Sequence, residues 1–156
     1  SAPLSVVEGR SGDKERLRLW IRMLRTTRIV EGELRERLRR DFDSTLPRFD
    51  VMSALYRAPD GMLMSDLSRF LLVSNGNVTG IVERLVAEGY VMRTKREGDK
   101  RTSVVQLTRA GTAAFEKMAA AHERWISELL DGIGTAEVHR LSEMLHVFRS
   151  NWEGEH

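Results

Sequence analysis

The chain contains no cysteine. That absence removes disulfides, thiolate zinc sites and cysteine nucleophiles together, and it suits a reducing compartment. Prolines number only 3 and aromatic residues are 6% of the chain, which favours helices over a turn-rich all-β fold. No uninterrupted apolar run nears the roughly 20 residues that span a bilayer, and residues 1–12 lack a signal-peptide core. A cytoplasmic protein without a membrane partner is expected, with residues 1–12 as a flexible segment outside the fold. Also missing are a phosphate-binding glycine loop, a nucleophile elbow and paired carboxylates in an apolar setting. No catalytic residue and no cofactor are therefore assigned. Of the 4 histidines, His139 and His146 stand two helical turns apart, about 10 Å along an axis. They lack a third convergent ligand, so no metal site is assigned.

What is present is a well-charged globular composition of 156 residues, 31% charged and 41% hydrophobic, enough for one domain with its own core. The net charge is only +2; its distribution says more. Residues 91–109 hold 6 basic side chains (Arg93, Lys95, Arg96, Lys100, Arg101, Arg109) against 2 acidic ones, and residues 10–40 hold 11 against 5. Local excesses of this kind suit a polyanion, although a solvated helix face shows them too.

Along residues 13–40 there is no proline, and Leu17, Trp20, Leu24, Val30, Leu34 and Leu38 recur three or four apart around Thr27. One face of a long helix is predicted. After Pro47, the residues Phe49, Met52, Leu55 and Tyr56 give a short helix that Pro59, Asp60 and Gly61 end. Two further helices are predicted at 65–71 and 74–88, with Ser74 as the N-cap of the second and Gly89 closing it. The period then changes. Residues 91–95 and 102–107 are rich in β-branched side chains and flank a charged tip, which predicts a hairpin. Thr108 is placed to cap a helix carrying Phe115, Met118, His122, Ile126 and Leu129. A last helix from Thr135 shows Val138, Leu141, Leu145, Phe148 and Trp152. The fold class is mainly α with one β-hairpin wing.

Residues 65–101 carry the functional reading. In a helix-turn-helix the first helix braces the second, whose N-terminal residues meet base edges in the major groove. Leu67, Leu71, Val73, Val78, Ile81, Val82 and Leu85 can supply the inner faces. Ser65, Ser74, Asn75, Gly76, Asn77, Thr79, Gly80 and Arg84 leave an outer face of small, amide and basic side chains. Asparagine pairs with adenine, and hydroxyls reach bases or phosphates. The glycines suit close approach of backbone to DNA. The hairpin adds Arg93, Lys95, Asp99, Lys100 and Arg101. A wing arginine is attracted by the narrow minor groove, and Asp99 can hold Arg101 by a charge-assisted bond.

The ordered run Val73-Ser74-Asn75-Gly76-Asn77-Val78-Thr79-Gly80-Ile81-Val82-Glu83-Arg84-Leu85, then Glu88-Gly89-Tyr90-Val91, Asp99-Lys100-Arg101 and Leu107-Thr108-Arg109-Ala110-Gly111 resembles the MarR family of bacterial regulators. The resemblance covers about residues 13–152. It departs at Ser68, where alanine is usual, at Leu72, where glycine is usual in the turn, and at Leu63, which cannot cap the first helix. The resemblance implies a winged helix-turn-helix at 46–110 between dimerisation helices at 13–45 and 112–152, all within one domain, 13–156. It also implies a homodimer in which Leu17, Trp20, Ile126, Leu129, Leu141, Leu145, Phe148 and Trp152 are buried. Independently of the family, two long amphipathic terminal helices present more apolar surface than so small a winged domain can cover. Twofold symmetry predicts a pseudo-palindromic double-stranded DNA operator with half-sites about 34 Å apart.

Family members commonly repress and release DNA when a small molecule binds. Here the resemblance implies an aromatic acid or its acyl-CoA thioester as effector. Trp20, Phe49, Met52, Tyr56, Phe70 and His122 are candidates to line its pocket, with Arg37, Arg39 and Arg40 toward ligand phosphates. Core packing accounts equally for the apolar members. Two alternatives stay open at this point: a metal-sensing winged-helix regulator, and a winged-helix protein-interaction module without DNA binding.

Overall fold

The computed structural model describes residues 2–72, 77–95 and 103–155. Helix α1 (Ala2–Phe42) is followed by α2 (Leu46–Tyr56), a two-residue strand β1 (Met62–Leu63) and the short helix α3 (Met64–Leu67), which runs into a 3-10 turn at Ser68–Phe70. Then come α4 (Val78–Ala87), strands β2 (Val91–Thr94) and β3 (Val104–Leu107), and two long helices, α5 (Arg109–Leu129) and α6 (Thr135–Glu155). Contacts divide the chain into two compact units, Ser1–His122 and Glu123–His156.

Local chemistry sets the boundaries. Helix α1 begins at Ala2, not at Asp13 as the sequence reading placed it. Pro3 falls in its first turn, where the missing N–H has no intrahelical partner to lose. The helix ends where Asp43 takes a left-handed conformation (φ 49°), which aspartate tolerates better than most side chains. The N–H groups of Asp43 and Ser44 then close on the carbonyls of Arg39 and Leu38. Thr45 caps α2, its hydroxyl accepting from the Arg48 N–H at 3.2 Å. Helix α4 closes as the sequence predicts. Gly89 has φ 82°, and the N–H groups of Gly89 and Tyr90 bond Val86 and Leu85, the double closure of a left-handed glycine cap. The Thr108 hydroxyl accepts from the Gly111 N–H at 3.0 Å and so caps α5.

Two strands were predicted; three form an antiparallel sheet in the order β1-β3-β2. Met62 faces Val105 and Leu63 faces Val104, while Val91 faces Leu107 and Thr94 faces Val104. Strand β1 answers a question raised by Leu63, which has no capping side chain. The Met64 N–H, at the start of α3, donates instead to the Ser103 carbonyl at 3.0 Å. In the first unit the core gathers Leu34 and Leu38 of α1, Val51, Met52 and Leu55 of α2, Leu67, Val82, Leu85, Val105, and Phe115 and Met118 of α5. The second unit holds the end of α5, a turn and α6. Along α6, Leu141, Leu145, Phe148 and Trp152 recur at helical spacing, and all are exposed in the single chain.

Candidate nucleic-acid interface

The helix expected in the major groove is α4. It starts four residues later than predicted, and its cap is Asn77 rather than Ser74: the Asn77 Oδ1 accepts from the Gly80 N–H at 2.9 Å. Either residue can cap, and the sequence alone does not show which N–H group lies three residues inside the helix. Ser74, Asn75 and Gly76 lie outside the described residues, as do Asp99, Lys100 and Arg101 of the wing tip.

Asn77, Thr79 and Arg84 are exposed, as predicted, and so is Ser65 on α3. The structure brings Asn77, Gly80 and Arg84 together along a cleft of about 590 Å³ that Thr45, the cap of α2, and Pro47 and Arg48 in its first turn close on the other side. Gly80 has a local reason to be glycine as well. A methyl group there would overlap the Asn77 side-chain amide, so the capping bond itself favours the missing Cβ. On β2, Lys95 follows the strand and is exposed, but Arg93 is half-buried on the same face as Val91, and its Nε is buried without a hydrogen-bond partner. The strand period of two turns Arg93 inward, so it is less open to phosphate than its charge suggested.

Two polar contacts that sequence reasoning missed position α4. Arg48 forms a two-pronged ion pair with Glu88, the C-cap residue of α4 (Nη1 to Oε1 3.2 Å). Asp50, buried, accepts the Leu72 N–H at 2.8 Å, in the turn before α4. Nothing in the sequence links partners 40 and 22 positions apart.

The pocket candidates separate into two groups. Phe49 stacks on Phe115 (centroids 5.3 Å) and on His122 (4.7 Å), and Tyr56 packs on Phe115 (4.9 Å), so Phe49, Tyr56 and His122 form one aromatic column with Phe115. Met52 is fully buried. Burial pushes the His122 imidazole below its ordinary pKa. The Tyr56 hydroxyl donates to Glu116 at 3.1 Å, and that bond and charge hold the phenol above its usual value. Trp20 and Phe70 are exposed, away from close ring contact with this column. The arginines predicted to meet ligand phosphates are engaged on their own helix: Arg37 with Glu33 (3.6 Å), Arg39 with Glu36 and Arg40 with Asp41 (2.7 Å). Acidic neighbours one to four residues away are the simpler partners on a solvated helix.

A three-stranded wing behind a helix-turn-helix, with an open face of amide, hydroxyl and guanidinium groups, defines a winged-helix DNA-binding module. A family model described as "MarR family" matches residues 42–102. A MarR family transcriptional regulator from Silicibacter pomeroyi is 34% identical and superposes with a TM-score of 0.77 over 90% of this chain and 96% of that one. The chain belongs to the MarR family. MarR from E. coli, in a crystal structure of a mutant complexed with operator DNA, is 27% identical with a TM-score of 0.71, covering 86% of this chain and 95% of that one. The transcriptional activatory protein BadR of Rhodopseudomonas palustris is 32% identical over 125 residues, 78% of this chain and 66% of that protein. These relatives are transcriptional regulators and not enzymes, and this chain is a DNA-binding transcriptional regulator. Among the described residues no helix is long and apolar enough to cross a membrane.

Proposed function

We propose that the protein binds a pseudo-palindromic operator as a homodimer and responds to a small aromatic acid. The observation that supports the dimer is the uncovered apolar surface at the two ends of the chain. Leu17 and Trp20 on α1, and Leu141, Leu145, Phe148 and Trp152 on α6, are 44–67% exposed. A repeating apolar stripe of this size on a soluble monomer is unfavourable, and a second copy of the same surface covers it symmetrically. Ile126 and Leu129, half-buried in the single chain, belong to the same reading. Two copies of α4 then meet successive major grooves, with half-site centres about one helical turn apart.

For the effector, a cleft of about 200 Å³ beside the aromatic column supports the reading. It is lined by Phe42, Met52, Tyr90 and Met118, with Arg48 and Lys117 as its cations. The space equals roughly seven waters at about 30 Å³ each, enough for one ring and an acidic group. The adenosine part of a thioester lies outside such a volume, and a thioester has lost the carboxylate that Lys117 would pair with. The acid therefore ranks above its thioester. The sign of regulation depends on where the operator lies. Repression follows if it overlaps the promoter, whereas BadR carries the name of an activatory protein.

Light scattering on the eluted protein tests the dimer: twice the chain mass is expected for wild type, and the chain mass for Leu145→Glu/Phe148→Glu. In vitro selection from random duplexes is expected to return an inverted repeat. A wild-type monomer, or a selected site without twofold symmetry, refutes the assembly. Benzoate is expected to raise the melting temperature by mass action and Lys117→Ala to abolish the shift; no shift at millimolar benzoate refutes that effector reading.

A further inference from the structure

Arg48 and Asp50 sit two residues apart on α2, and each makes one long-range polar contact with the segment that carries α4. Residues at i and i+2 of a helix point about 200° apart, so the two side chains leave α2 on opposite sides. Asp50 takes the Leu72 N–H in the turn that precedes α4, and Arg48 takes Glu88 at its C-cap. Helix α4 also packs directly on α2. Helix α2 thus holds the C-terminal end of α4 through Glu88 and, through Leu72, the chain ahead of it.

The Arg48–Glu88 contact is not an ordinary surface pair. The Arg48 side chain is only 16% exposed, against 42% for Glu88, and its Nε is buried without a partner. A guanidinium taken so far out of water needs a defined acceptor. The two prongs to one carboxylate fix an orientation as well as a distance. Glu88 is itself unfavourably placed, since a carboxylate at a helix C-terminus opposes the macrodipole; the guanidinium offsets this. By contrast Arg84 is exposed, as a phosphate-contacting arginine would be.

We propose that Arg48 is a positioning residue for DNA reading: through Glu88, and with Asp50 as the second anchor, it sets the angle at which α4 enters the major groove. The leverage is geometric. Helix α4 has 10 residues and is therefore about 15 Å long. When the pair is lost, a shift of about 1 Å at the freed C-terminal end turns the helix by about 4° and changes the direction in which its N-terminal side chains meet the base edges, to which hydrogen bonds are sensitive. Phosphate contacts by flexible basic side chains follow such a shift; base contacts do not. The pair therefore governs the preference for operator over other DNA more than the total affinity.

The test is fluorescence anisotropy with a duplex selected by the wild-type protein and with a random duplex, across a salt series. The full chain is used, with each variant's melting curve recorded. Arg48→Ala and Glu88→Gln are each expected to lower the operator-to-random affinity ratio on the order of tenfold, while the slope of log K against log salt stays at the wild-type value. The exchange R48E/E88R is expected to recover most of the ratio, because it places an acid in the first turn of α2 and a base at the C-terminus of α4, both favoured by the helix dipoles. If Arg48→Ala lowers the slope by about one phosphate while Glu88→Gln changes nothing, Arg48 touches DNA directly and the proposal is wrong. It is equally wrong if both single variants melt earlier yet keep the wild-type ratio, since the pair then serves stability alone.

Discussion

Asn77 offers a way to separate two roles that one side chain plays at the start of α4. Its Oδ1 caps the helix through the Gly80 N–H at 2.9 Å, and its Nδ2 is the group left to meet a base. Asn77→Ala removes both. Loss of the cap costs about 1 kcal/mol of stability. Loss of the base contact adds a penalty on the operator, at about 1 kcal/mol, the low end for an asparagine–adenine pair. The low end is expected because a full two-bond pairing also needs the Oδ1 that the cap engages. Asn77→Asp divides the effects. The carboxylate keeps the acceptor and gains about 0.3–1 kcal/mol from the positive end of the helix, but it has no donor for a base and brings negative charge to DNA. Urea denaturation followed by far-ultraviolet dichroism, beside anisotropy on operator and random duplexes, reads the two separately. The expected pattern is Asn77→Ala less stable and less selective, and Asn77→Asp at least as stable as wild type but weaker on DNA. An Asn77→Asp protein that binds the operator like wild type would refute a DNA-facing Asn77; one destabilised as much as Asn77→Ala would refute the cap.

Two further outcomes follow from the packing. A methyl group at Gly111 would overlap the Tyr90 carbonyl oxygen, which also accepts the Thr108 N–H at 3.0 Å. Gly111→Ala must therefore part the start of α5 from the start of β2, at about 2–4 kcal/mol from overpacking and the strained bond, less about 1 kcal/mol of helix propensity. A melting temperature equal to or above wild type would falsify that close approach. His122, half-buried on Phe49, has a lowered folded pKa. The unfolded chain thus binds its proton more readily, and the stability of the neutral ring is complete above the ordinary imidazole value near pH 6.5 and erodes as pH falls below it. His122→Phe keeps a ring in the column and is expected to flatten stability between pH 7 and pH 5. The same acid loss in wild type and variant in urea titrations would point to another group.

Features written in short stretches of chain were legible in the sequence. Gly89 as a left-handed cap, Thr108 as the cap of α5, the antiparallel pairing of β2 with β3, and the apolar spacing of α1 and α6 depend on residues within a few positions of each other, or on a period of two or near 3.6. The choice of Asn77 over Ser74 was less legible, because both side chains cap well and only the φ/ψ path of the turn decides between them. Strand β1 escaped notice because two residues carry no period. That Arg93 is half-buried on the Val91 face of β2 was not legible from its charge. Trp20 and Phe70 were grouped with Phe49, Tyr56 and His122 on chemistry alone, and the rings that stack are those that α2 and α5 bring together.

The sequence by itself determined the order of the helices, the caps at Gly89 and Thr108, the pairing of β2 with β3 and the family, since these rest on local conformational preference and on an ordered pattern of residues. Only the tertiary structure decided which distant polar groups meet. Arg48 reads as one more helix-surface arginine, and Asp50 as one more acid, until folding places Glu88 and the Leu72 N–H against them. A hydrogen bond forms within about 3 Å, and no periodicity in the chain encodes that closeness for partners 40 residues apart.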